Sequence, residues 1–476
     1  MSKNLADHFL KNANPKNFLF EIETGKKRNF LEIKKNVKSL SKKKILKKKK
    51  ISVILPNGID YVEFFLTCQF LGILFHPIPY FTSQTEINKI LKFFKPDLVI
   101  TDRKDLNFLK KNFNIQNILS IKNSKSGSLT MKKIKYNQPA SMYNSSGTTG
   151  DPKGILYSYE NIYVLAKAIS EDFKFTEKDN HLALLPLGHT ASLNYNLLPS
   201  LYCGSSMFIS KGFQFLASNF FKVLKKYNIT YTQIVPTILL HVNKLNIKKV
   251  KIEKLRYIGC GSSYLPIESQ KEFIKKYGIK VANLYGLSET GPSHIDNPES
   301  KQWKPGSIGV PLSVNKCKIS SDGELMIKGK TVFVDYYNNK KLYKKTVRGG
   351  WFYTGDYGKF RNKKFYFIDR KKDLIIKGGI NIFPSEIENI IYKVKDVSEC
   401  VAFSKINQLK DEEVAVAIVK RNKNINENQL KKKLIEICIK NLSKHKIPNH
   451  FYFIKKIPKT ASNKLMRRKI KDKFNQ

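Results

Sequence analysis

One short segment, Asn144 to Gly154, brings together residue types that can bind phosphate. Its sequence, NSSGTTGDPKG, contains three glycines, four Ser or Thr residues and one lysine, Lys153. Glycines let the backbone turn its N–H groups toward an anion, hydroxyl groups add hydrogen-bond donors, and the ammonium group adds positive charge. The lysine precedes a glycine and not Ser or Thr, so the segment differs from the P-loop signature. We predict a loop that holds a polyphosphate, because a flexible Ser/Gly linker would not require both Pro152 and Lys153.

Three later segments each contain charged residues that could bind other parts of a nucleotide. Glu289 lies in NLYGLSETG (283–291), Asp356 in WFYTGDYG (351–358), and Arg370 in DRKKD (369–373). A carboxylate at a strand end beside a triphosphate is what a hard, oxygen-seeking cation needs. Taken alone, each segment is equally compatible with an ordinary turn or linker, since an acid after Thr-Gly can simply close a hairpin.

The last informative segment is IPKTASNKLMRR, residues 457–468, which contains Lys464. The chain has 78 lysines, so a single lysine is normally part of a solvated face. Its position within this segment is what distinguishes Lys464 from the other lysines of the chain.

Together and in this order, these segments resemble the signature motifs of the acyl-adenylate-forming ligases. This superfamily includes acyl-CoA and aryl-CoA synthetases, firefly luciferase and the adenylation domains of peptide synthetases. The likeness runs from about residue 50 to Arg468. It implies that a carboxylic acid is activated by ATP to an acyl-adenylate, pyrophosphate is released, and the acyl group passes to the thiol of coenzyme A. The implied cofactors are ATP, Mg²⁺ and coenzyme A.

The resemblance also implies a role for each matching residue. Lys464 would bridge the attacking carboxylate and the α-phosphate, Ser288 would donate to that phosphate, and Glu289 would hold magnesium with Thr149. The implied nucleotide-binding residues are Ser145, Ser146, Gly147, Thr148, Thr149, Gly150, Lys153, Gly261, Tyr285, Asp356 and Arg370. Asn463 replaces the usual glycine of the last motif, and asparagine is among the residues that best tolerate positive φ.

For the acyl group the resemblance implies a pocket lined by His189, Val235, Thr237, Gly261 and Gly286. Amino-acid-activating members carry an acidic residue in this region, and residues 186–200 contain none, so an α-amino acid is disfavoured. A medium or branched fatty acid and an aryl acid both stay open. Lys372 falls at the hinge position, and Gly378 and Gly379 resemble the loop that lines the tunnel for the thiol.

These segments must be positioned by an α/β framework. From Ile51 onward, short apolar runs alternate with helix-like segments, the pattern of βα units around a mostly parallel sheet. After about Lys316 the chain is strand-rich, with a turn at Asp322-Gly323. Beyond Asp373 it reads as α+β, with a helix from Pro384 to Val394 that Ser385 could cap. We expect a large N-terminal domain, 1–371, with parallel sheets and a β-rich subdomain, and a small mobile C-terminal domain, 372–476.

Composition restricts the alternatives. The 476 residues are 41% hydrophobic, enough for a folded core, and carry a net charge of +49. Lysine outnumbers arginine 78 to 9 and is spread along the chain. Proteins that bind phosphates in a specific register favour the planar arginine side chain, so the net charge does not indicate specific nucleic-acid binding. The six cysteines form no CxxC pair, and the first twenty residues lack a signal-peptide core, so we expect a cytoplasmic protein.

Two rival functions stay open at this stage. One is an acyl-AMP ligase that loads a phosphopantetheinyl carrier protein in place of free coenzyme A. The other, from a different class, is a basic nucleic-acid- or membrane-binding protein that kept the fold and lost catalysis. A catalytically decayed chain would be expected to lose some of the charged residues named above, and this chain retains them all.

Overall fold

Two seven-stranded, mostly parallel β-sheets form the larger, N-terminal part of the protein. The computed structural model describes residues 4–129, 134–146, 152–245, 251–301, 303–408, 410–459 and 465–475, without the side chain of Ser146. In spatial order, the strands of the first sheet are Val281–Leu284, Tyr257–Gly261, Tyr231–Ile234, Asn180–Ala183, Ser206–Ile209, Phe18–Glu21 and Lys27–Asn29. Those of the second sheet are Asp335–Tyr336, Pro152–Ser158, Pro139–Ser146, Leu74–Pro77, Lys50–Ile54, Leu98–Thr101 and Ile115–Gln116.

The apolar runs of the sequence form these strands because both faces of each sheet are covered. All four residues of Leu98–Thr101 and of Ser206–Ile209 are buried, as expected for parallel strands between helical layers. The helices of this part are Leu5–Asn12, Phe30–Ser41, Ile59–Leu71, Gln84–Phe94, Ile118–Asn123, Tyr159–Asp172, Thr190–Ser192, Leu198–Cys203, Phe213–Leu216, Phe220–Lys226, Pro236–Lys244, Ile267–Tyr277 and Lys340–Thr346. A single π-helical turn, Leu193–Leu197, joins two of them.

A third, antiparallel sheet provides the predicted β-rich subdomain. Its strands are Asn315–Ile319, Glu324–Gly329, Val347–Arg348, Trp351–Arg361 and Lys364–Arg370. The predicted hairpin turn is present: Gly323 has φ +87° between the first two of these strands. Short two-stranded pairs, Gly286–Leu287 with Gly291–Pro292 and His294–Ile295 with Val310–Pro311, connect this sheet to the first one.

The C-terminal part is a compact α+β unit, as predicted. It contains the hairpin Ile375–Lys377 and Ile380–Ile382, the sheet Val397–Ile406, Glu412–Lys420 and His450–Phe453, and the helices Pro384–Ile391, Glu427–Asn441 and Arg467–Asn475. The prediction that Ser385 caps its helix was wrong. Phe383 is the N-cap and Pro384 the first helical residue, so Ser385 lies inside the first turn. Its backbone N–H donates to the Asp369 carboxylate at 2.7 Å, so a residue of the strand Lys364–Arg370, in the third sheet, serves as the cap.

Separate hydrophobic cores lie on either side of the predicted domain boundary. One group of cores is built from residues up to 367, and the other from residues 375–474. The boundary at 371/372 itself stays a prediction. Within the described ranges, we find no helix with the length and apolar character that crossing a membrane requires.

Candidate functional site

The predicted phosphate loop connects two antiparallel strands of the second sheet. Pro139–Ser146 pairs with Pro152–Ser158 in a register that sets Ser145 opposite Lys153. Both side chains line a cavity of about 990 Å³, which we call the outer cavity. The loop residues Gly147, Thr148, Thr149 and Gly150, and the side chain of Ser146, lie outside the described residues. The structure therefore places the two ends of the predicted loop at the outer cavity.

A buried histidine that the sequence analysis missed fixes the start of this loop. Asn144 Nδ2 donates to His76 Nε2 at 2.6 Å, and the opposite ring nitrogen bonds Ser52 Oγ at 2.8 Å. Burial lowers the pKa of His76 to about 3, so the ring is neutral at pH 7 and can accept from the amide. A histidine at the end of an otherwise apolar strand, Leu74–Pro77, was the available signal.

Glu289 faces the same outer cavity and is held by a tyrosine from a distant segment. Its Oε1 accepts a hydrogen bond from the Tyr336 hydroxyl at 3.0 Å, and its neighbour Ser288 is anchored through its carbonyl by Tyr157 at 2.9 Å. Burial raises the pKa of Glu289, while the Tyr336 hydrogen bond and the charges of Lys153 and Arg370 act in the opposite direction. A desolvated carboxylate beside a phosphate loop suits Mg²⁺, because a bound cation would favour its charged form. Glu289 thus fits a magnesium site.

Three of the predicted nucleotide-binding residues, Tyr285, Asp356 and Arg370, meet at a second, adjoining cavity of about 520 Å³, the inner cavity. Asp356 is only 3% exposed and accepts a hydrogen bond from the Tyr285 hydroxyl at 2.8 Å. Arg370 Nε lies 3.7 Å from the other carboxylate oxygen. Burial opposes the charge on Arg370, but the neighbouring Asp356 and Asp373 raise its pKa above the ordinary value. Burial, reinforced by Asp356, raises the pKa of Tyr285 well above its usual range.

The two cavities are continuous. They share six lining residues: Ser262, Leu284, Gly286, Leu287, Asp356 and Arg370. The inner cavity has the size and the polar groups that a nucleoside needs, and the outer one carries the phosphate-binding and carboxylate groups. Strands Tyr257–Gly261 and Val281–Leu284 both end at this junction, as expected for a ligand site at the carboxyl ends of parallel strands.

The C-terminal part contributes to the same outer cavity. Lys459, Met466 and Lys469 line it together with Lys153 and Glu289. Lys459 and Leu465 form an isolated antiparallel bridge, and the Met466 N–H donates to the Pro458 carbonyl at 2.9 Å. Lys464 lies outside the described residues. Both described flanks of its motif thus face the predicted phosphate site.

The predicted acyl-site residues fall into different places. His189 and Gly286 line the outer cavity, and His189 Nδ1 accepts from the Ala191 N–H at 3.2 Å at the start of a short helix. Thr237 lines the inner cavity. The geometry places Val235 in the core behind the first sheet, where it is 2% exposed. The reason is that Val235 follows the strand Tyr231–Ile234 as the N-cap residue of the helix Pro236–Lys244, where it joins the same core as Ile238 and Leu239.

Gly261 has a packing role in this structure. A Cβ at Gly261 would lie 2.4 Å from the Leu284 carbonyl oxygen, so only glycine lets the two strands end this close together. The next residue, Ser262, lines both cavities. Ser262 belongs to the glycine-rich segment GCGSSYLP (259–266), which resembles the family's turn against the adenine.

The predicted hinge residue lies at the end of the N-terminal part, and the predicted thiol-loop glycines lie in a hairpin of the C-terminal part. Lys372 sits in the short 3₁₀ turn Lys371–Asp373 that follows the strand Lys364–Arg370, and it lines the outer cavity. Burial and the nearby charge of Arg370 lower its pKa. Gly378 and Gly379 form the tip of the hairpin Ile375–Ile382, with φ of +54° and +76°. Apart from the glycines and their chain neighbours, no heavy atom of the described residues lies within 4 Å of a Cβ built at either glycine, and neither glycine lines the outer or the inner cavity.

Comparison with known proteins gives this arrangement a family. The model of the AMP-binding enzyme family matches residues 32–337, and that of the AMP-binding enzyme C-terminal domain matches residues 386–464. The chain belongs to the AMP-binding enzyme family, that is, the acyl-adenylate-forming ligases.

Curated relatives of this chain include CoA ligases. Oxalate–CoA ligase of Arabidopsis thaliana is 31% identical over 70% of this chain and 66% of its own length. The 2-succinylbenzoate–CoA ligase of Geobacillus sp. strain WCH70 is 33% identical over 70% of this chain and 68% of its own. The protein is an AMP-forming acid–CoA ligase, and its cofactors are ATP, Mg²⁺ and coenzyme A.

Solved structures agree with this fold. The o-succinylbenzoate CoA synthetase of Bacillus subtilis, in complex with its acyl-adenylate intermediate, superimposes with a TM-score of 0.87 and 25% identity over 98% of each chain. ATP-bound MatB from Rhodopseudomonas palustris superimposes with a TM-score of 0.91 over 100% of this chain and 99% of its own, at 20% identity. The latter likeness shows the fold alone.

Proposed function

We propose that the protein activates a compact carboxylic acid as its acyl-adenylate, releasing pyrophosphate, and then transfers the acyl group to the thiol of coenzyme A. One observation carries this proposal. Side chains from distant segments, including Lys153, Glu289, Asp356 and Arg370, line two continuous cavities together with the flanks of the Lys464 motif. Positioning and electrostatics dominate phosphoryl chemistry, so a convergence of this kind is what the first half-reaction needs.

In this proposal each residue acts on a defined part of ATP. Asp356 would accept hydrogen bonds from the ribose hydroxyls, while Tyr285 and the 262–264 turn would hold the base. Lys153 would bind the outer phosphates. Bound Mg²⁺, held by Glu289, would neutralise phosphate charge. Lys464 would stabilise the charge that develops on the α-phosphate as the substrate carboxylate attacks it.

For the second half-reaction the C-terminal part would rotate about Lys372. That movement would withdraw the Lys464 motif and bring the Gly378-Gly379 hairpin to the cavity for the incoming thiol. Rotation of one domain against another is a common way for a single site to serve two steps. The exposed glycine tip, free of contacts with the cavities in the present arrangement, is compatible with such a role.

The substrates of the relatives and the residues of the predicted acyl pocket narrow the identity of the carboxylic acid. The relatives named above act on oxalate and on 2-succinylbenzoate, which are both small acids. Residues 186–200 contain no acid that could pair with a substrate ammonium group, which argues against an α-amino acid. A carrier-protein thiol in place of coenzyme A is the competing proposal for the acceptor, and it shares the first half-reaction.

The test is a pyrophosphate-release assay over a panel of carboxylic acids, with and without coenzyme A, and with a phosphopantetheinylated carrier protein as a third arm. We expect release with at least one small acid and acyl-CoA formation in the coenzyme A arm. Acyl transfer only to the carrier would reassign the acceptor. An absence of release with every acid, from folded protein that binds ATP, would refute the proposed activity.

A further inference from the structure

A layer of buried polar groups lies beneath the π-helical turn Leu193–Leu197. This turn packs across the strands Asn180–Ala183 and Tyr231–Ile234 of the first sheet and against Gly291–Pro292. Such turns are rare and often mark functional sites, because they widen a helix locally and redirect its side chains. Asn194 and Tyr195 of the turn line the outer cavity. The layer between turn and sheet therefore borders the proposed acyl site.

The sheet below this layer has a floor of small residues. In the strand register Gln233 pairs with Gly259, and Gly259 pairs with Ala282. A Cβ at Gly259 would lie 2.5 Å from the Tyr231 hydroxyl and 2.5 Å from Leu284 Cδ1. Tyr231 and Gln233 are two residues apart on one strand, so both side chains point to the same face. The Tyr231 hydroxyl thus lies directly over the glycine.

The polar atoms of this layer lack partners. The Tyr195 hydroxyl, the Tyr231 hydroxyl and both amide atoms of Gln233 are buried and make no hydrogen bond within the described part of the chain. Tyr195 is 5% exposed, and Tyr231 and Gln233 are fully buried. Buried polar groups are normally paired, and a cluster of unpaired ones needs an explanation. A ligand that supplies the missing partners is such an explanation.

The charges around the layer define the ligand. Burial raises the pKa of Tyr231, and the positive charge of Arg256 acts in the opposite direction. Arg256 is already paired with Glu299, at 2.6 Å, and lies 3.7 Å from Asp179. His181, in ring contact with Tyr231, is neutral at pH 7 because burial lowers its pKa to about 4. Among the residues that the structure describes, a second carboxylate would therefore meet hydroxyls, an amide and a neutral imidazole in this layer but no available cation, and desolvating it would be costly. A neutral hydrogen-bonding group meets no such penalty.

The distance between the polar layer and the proposed nucleotide site limits the length of the substrate. Gly261 lies at the end of its strand that faces the proposed nucleotide site. Gly259 lies two residues earlier on the same strand, which corresponds to ~6.6 Å between the two glycines. The Tyr231 hydroxyl and Leu284 close the space above Gly259. An acyl chain that starts at the junction of the two cavities thus reaches the polar layer after a few atoms.

Resting on the function proposed above, we propose that Tyr195, Tyr231 and Gln233 form the distal end of the acyl pocket and bind an uncharged polar group on the substrate tail. The substrate is then a short acid with a hydroxyl, keto or amide group. A plain alkyl acid would leave the polar groups unpaired, and sites built to hydrogen-bond a substrate group strongly reject analogues that lack it.

The test compares acids of matched length with an alkyl, a keto or hydroxyl, an amide, or a second carboxylate tail. We expect kcat/KM for pyrophosphate release to be at least tenfold higher with the neutral polar tails. Gln233→Leu and Tyr231→Phe should each lower that preference several-fold. Tyr257→Phe is the matched control, since it removes the hydroxyl of a buried tyrosine paired with Tyr231 on the neighbouring strand. It should leave the preference unchanged.

Binding and stability provide independent measurements. Acyl-sulfamoyl-adenosines with the same tails, used as probes, should bind to the variants with the same loss of preference. Gln233→Leu should raise the midpoint of thermal unfolding, because it removes a buried unpaired amide; a purely structural glutamine would instead lower it. Equal kcat/KM for alkyl and polar tails, a preference for dicarboxylates, or variants that do not alter the ratio would overturn the inference while leaving the ligase activity intact. Failure with every acid would refute the ligase proposal itself.

Discussion

At the scale of single residues, the proposed chemistry depends most on Lys464, one lysine among 78. Lys459 and Met466, which lie on either side of Lys464 within its motif, line the outer cavity with Lys153. Lys464→Ala should lower the adenylation rate by about 10²–10³-fold, the usual cost of removing one group that stabilises developing charge. Thiolation of supplied acyl-adenylate should persist within a few-fold.

The measurement is each half-reaction on its own, by pyrophosphate release and by acyl-CoA formation. Lys456→Ala, at an exposed lysine just before the motif, is the matched control and should change neither rate. Equal losses in both half-reactions of Lys464→Ala would contradict the assigned role.

Buried histidines predict how stability depends on pH. Burial lowers the pKa to about 3 for His76 and His294 and to about 4 for His181. Below their unfolded pKa of about 6.5 the unfolded chain binds protons that the folded chain does not, so these residues make stability fall as the pH drops from about 6.5 toward 3 to 4. Asp296, whose pKa burial raises to about 6, works in the opposite direction over part of this range.

The thermal midpoint should therefore be lower at pH 5.5 than at pH 7.5, with net proton uptake on unfolding at pH 5.5. His76→Gln should reduce that uptake by about one proton, since one titrating group is removed. Calorimetry in buffers of different ionisation enthalpy measures the uptake. An unchanged uptake in this variant would show that His76 does not titrate between the folded and unfolded states as described.

At the scale of elements, a partly buried arginine joins the last helix to the C-terminal sheet. Arg467 Nη1 lies 2.7 Å from Glu388 Oε1 and also donates to the Ala402 carbonyl. The Glu388 carboxylate accepts in turn from the Ala402 N–H at 2.8 Å. Burial raises the pKa of Glu388 despite Arg467, so losing the arginine would leave a buried carboxylate without its cation.

Arg467→Ala should therefore cost ~3–5 kcal/mol in the C-terminal part, the usual penalty for removing one partner of a buried pair. Hydrogen-exchange protection in the strand Val397–Ile406 should fall by about 100-fold or more. Arg468→Ala is the control, because its ion pair with Asp472 is exposed and 3.8 Å long, and it should change protection less than about threefold. Similar protection in both variants would show that the Glu388 contact is not stabilising.

At the scale of the whole molecule, a half-exposed ion pair connects the two parts. Arg421 Nη1 of the C-terminal part lies 3.0 Å from Glu272 Oε1 on the helix Ile267–Tyr277. The side chains are 33% and 39% exposed, so the pair should contribute less than ~1 kcal/mol. A contact this weak can bias a domain rotation without preventing it.

Arg421→Ala should shift the ratio of adenylation to thiolation rates by less than about fivefold, and the shift should shrink as salt increases. Parallel measurement of both half-reactions at low and high ionic strength tests this. Lys433→Ala, which removes an exposed pair within the C-terminal part, should leave the ratio unchanged. A shift of a hundredfold or more would mean that this contact acts as a lock.

The sequence by itself determined the fold class, the family and several of the charged residues that line the two cavities, because these depend on local patterns. Hydrophobic periodicity predicted the alternation of strands and helices, and loops that bind phosphate need fixed residue types at fixed spacing. The family resemblance placed Val235 in the acyl site, where the structure has it in the core, because the packing of the following helix decides which side Val235 faces.

Only the tertiary structure decided which side chains support the motifs. His76 beneath Asn144, Tyr336 on Glu289 and Asp369 at the helix of Ser385 are contacts between segments far apart in sequence. The polar layer under the π-helical turn is of the same kind, since three strands and one helical turn must meet before its unpaired groups can be recognised. No local pattern encodes such meetings, because chain topology brings the segments together.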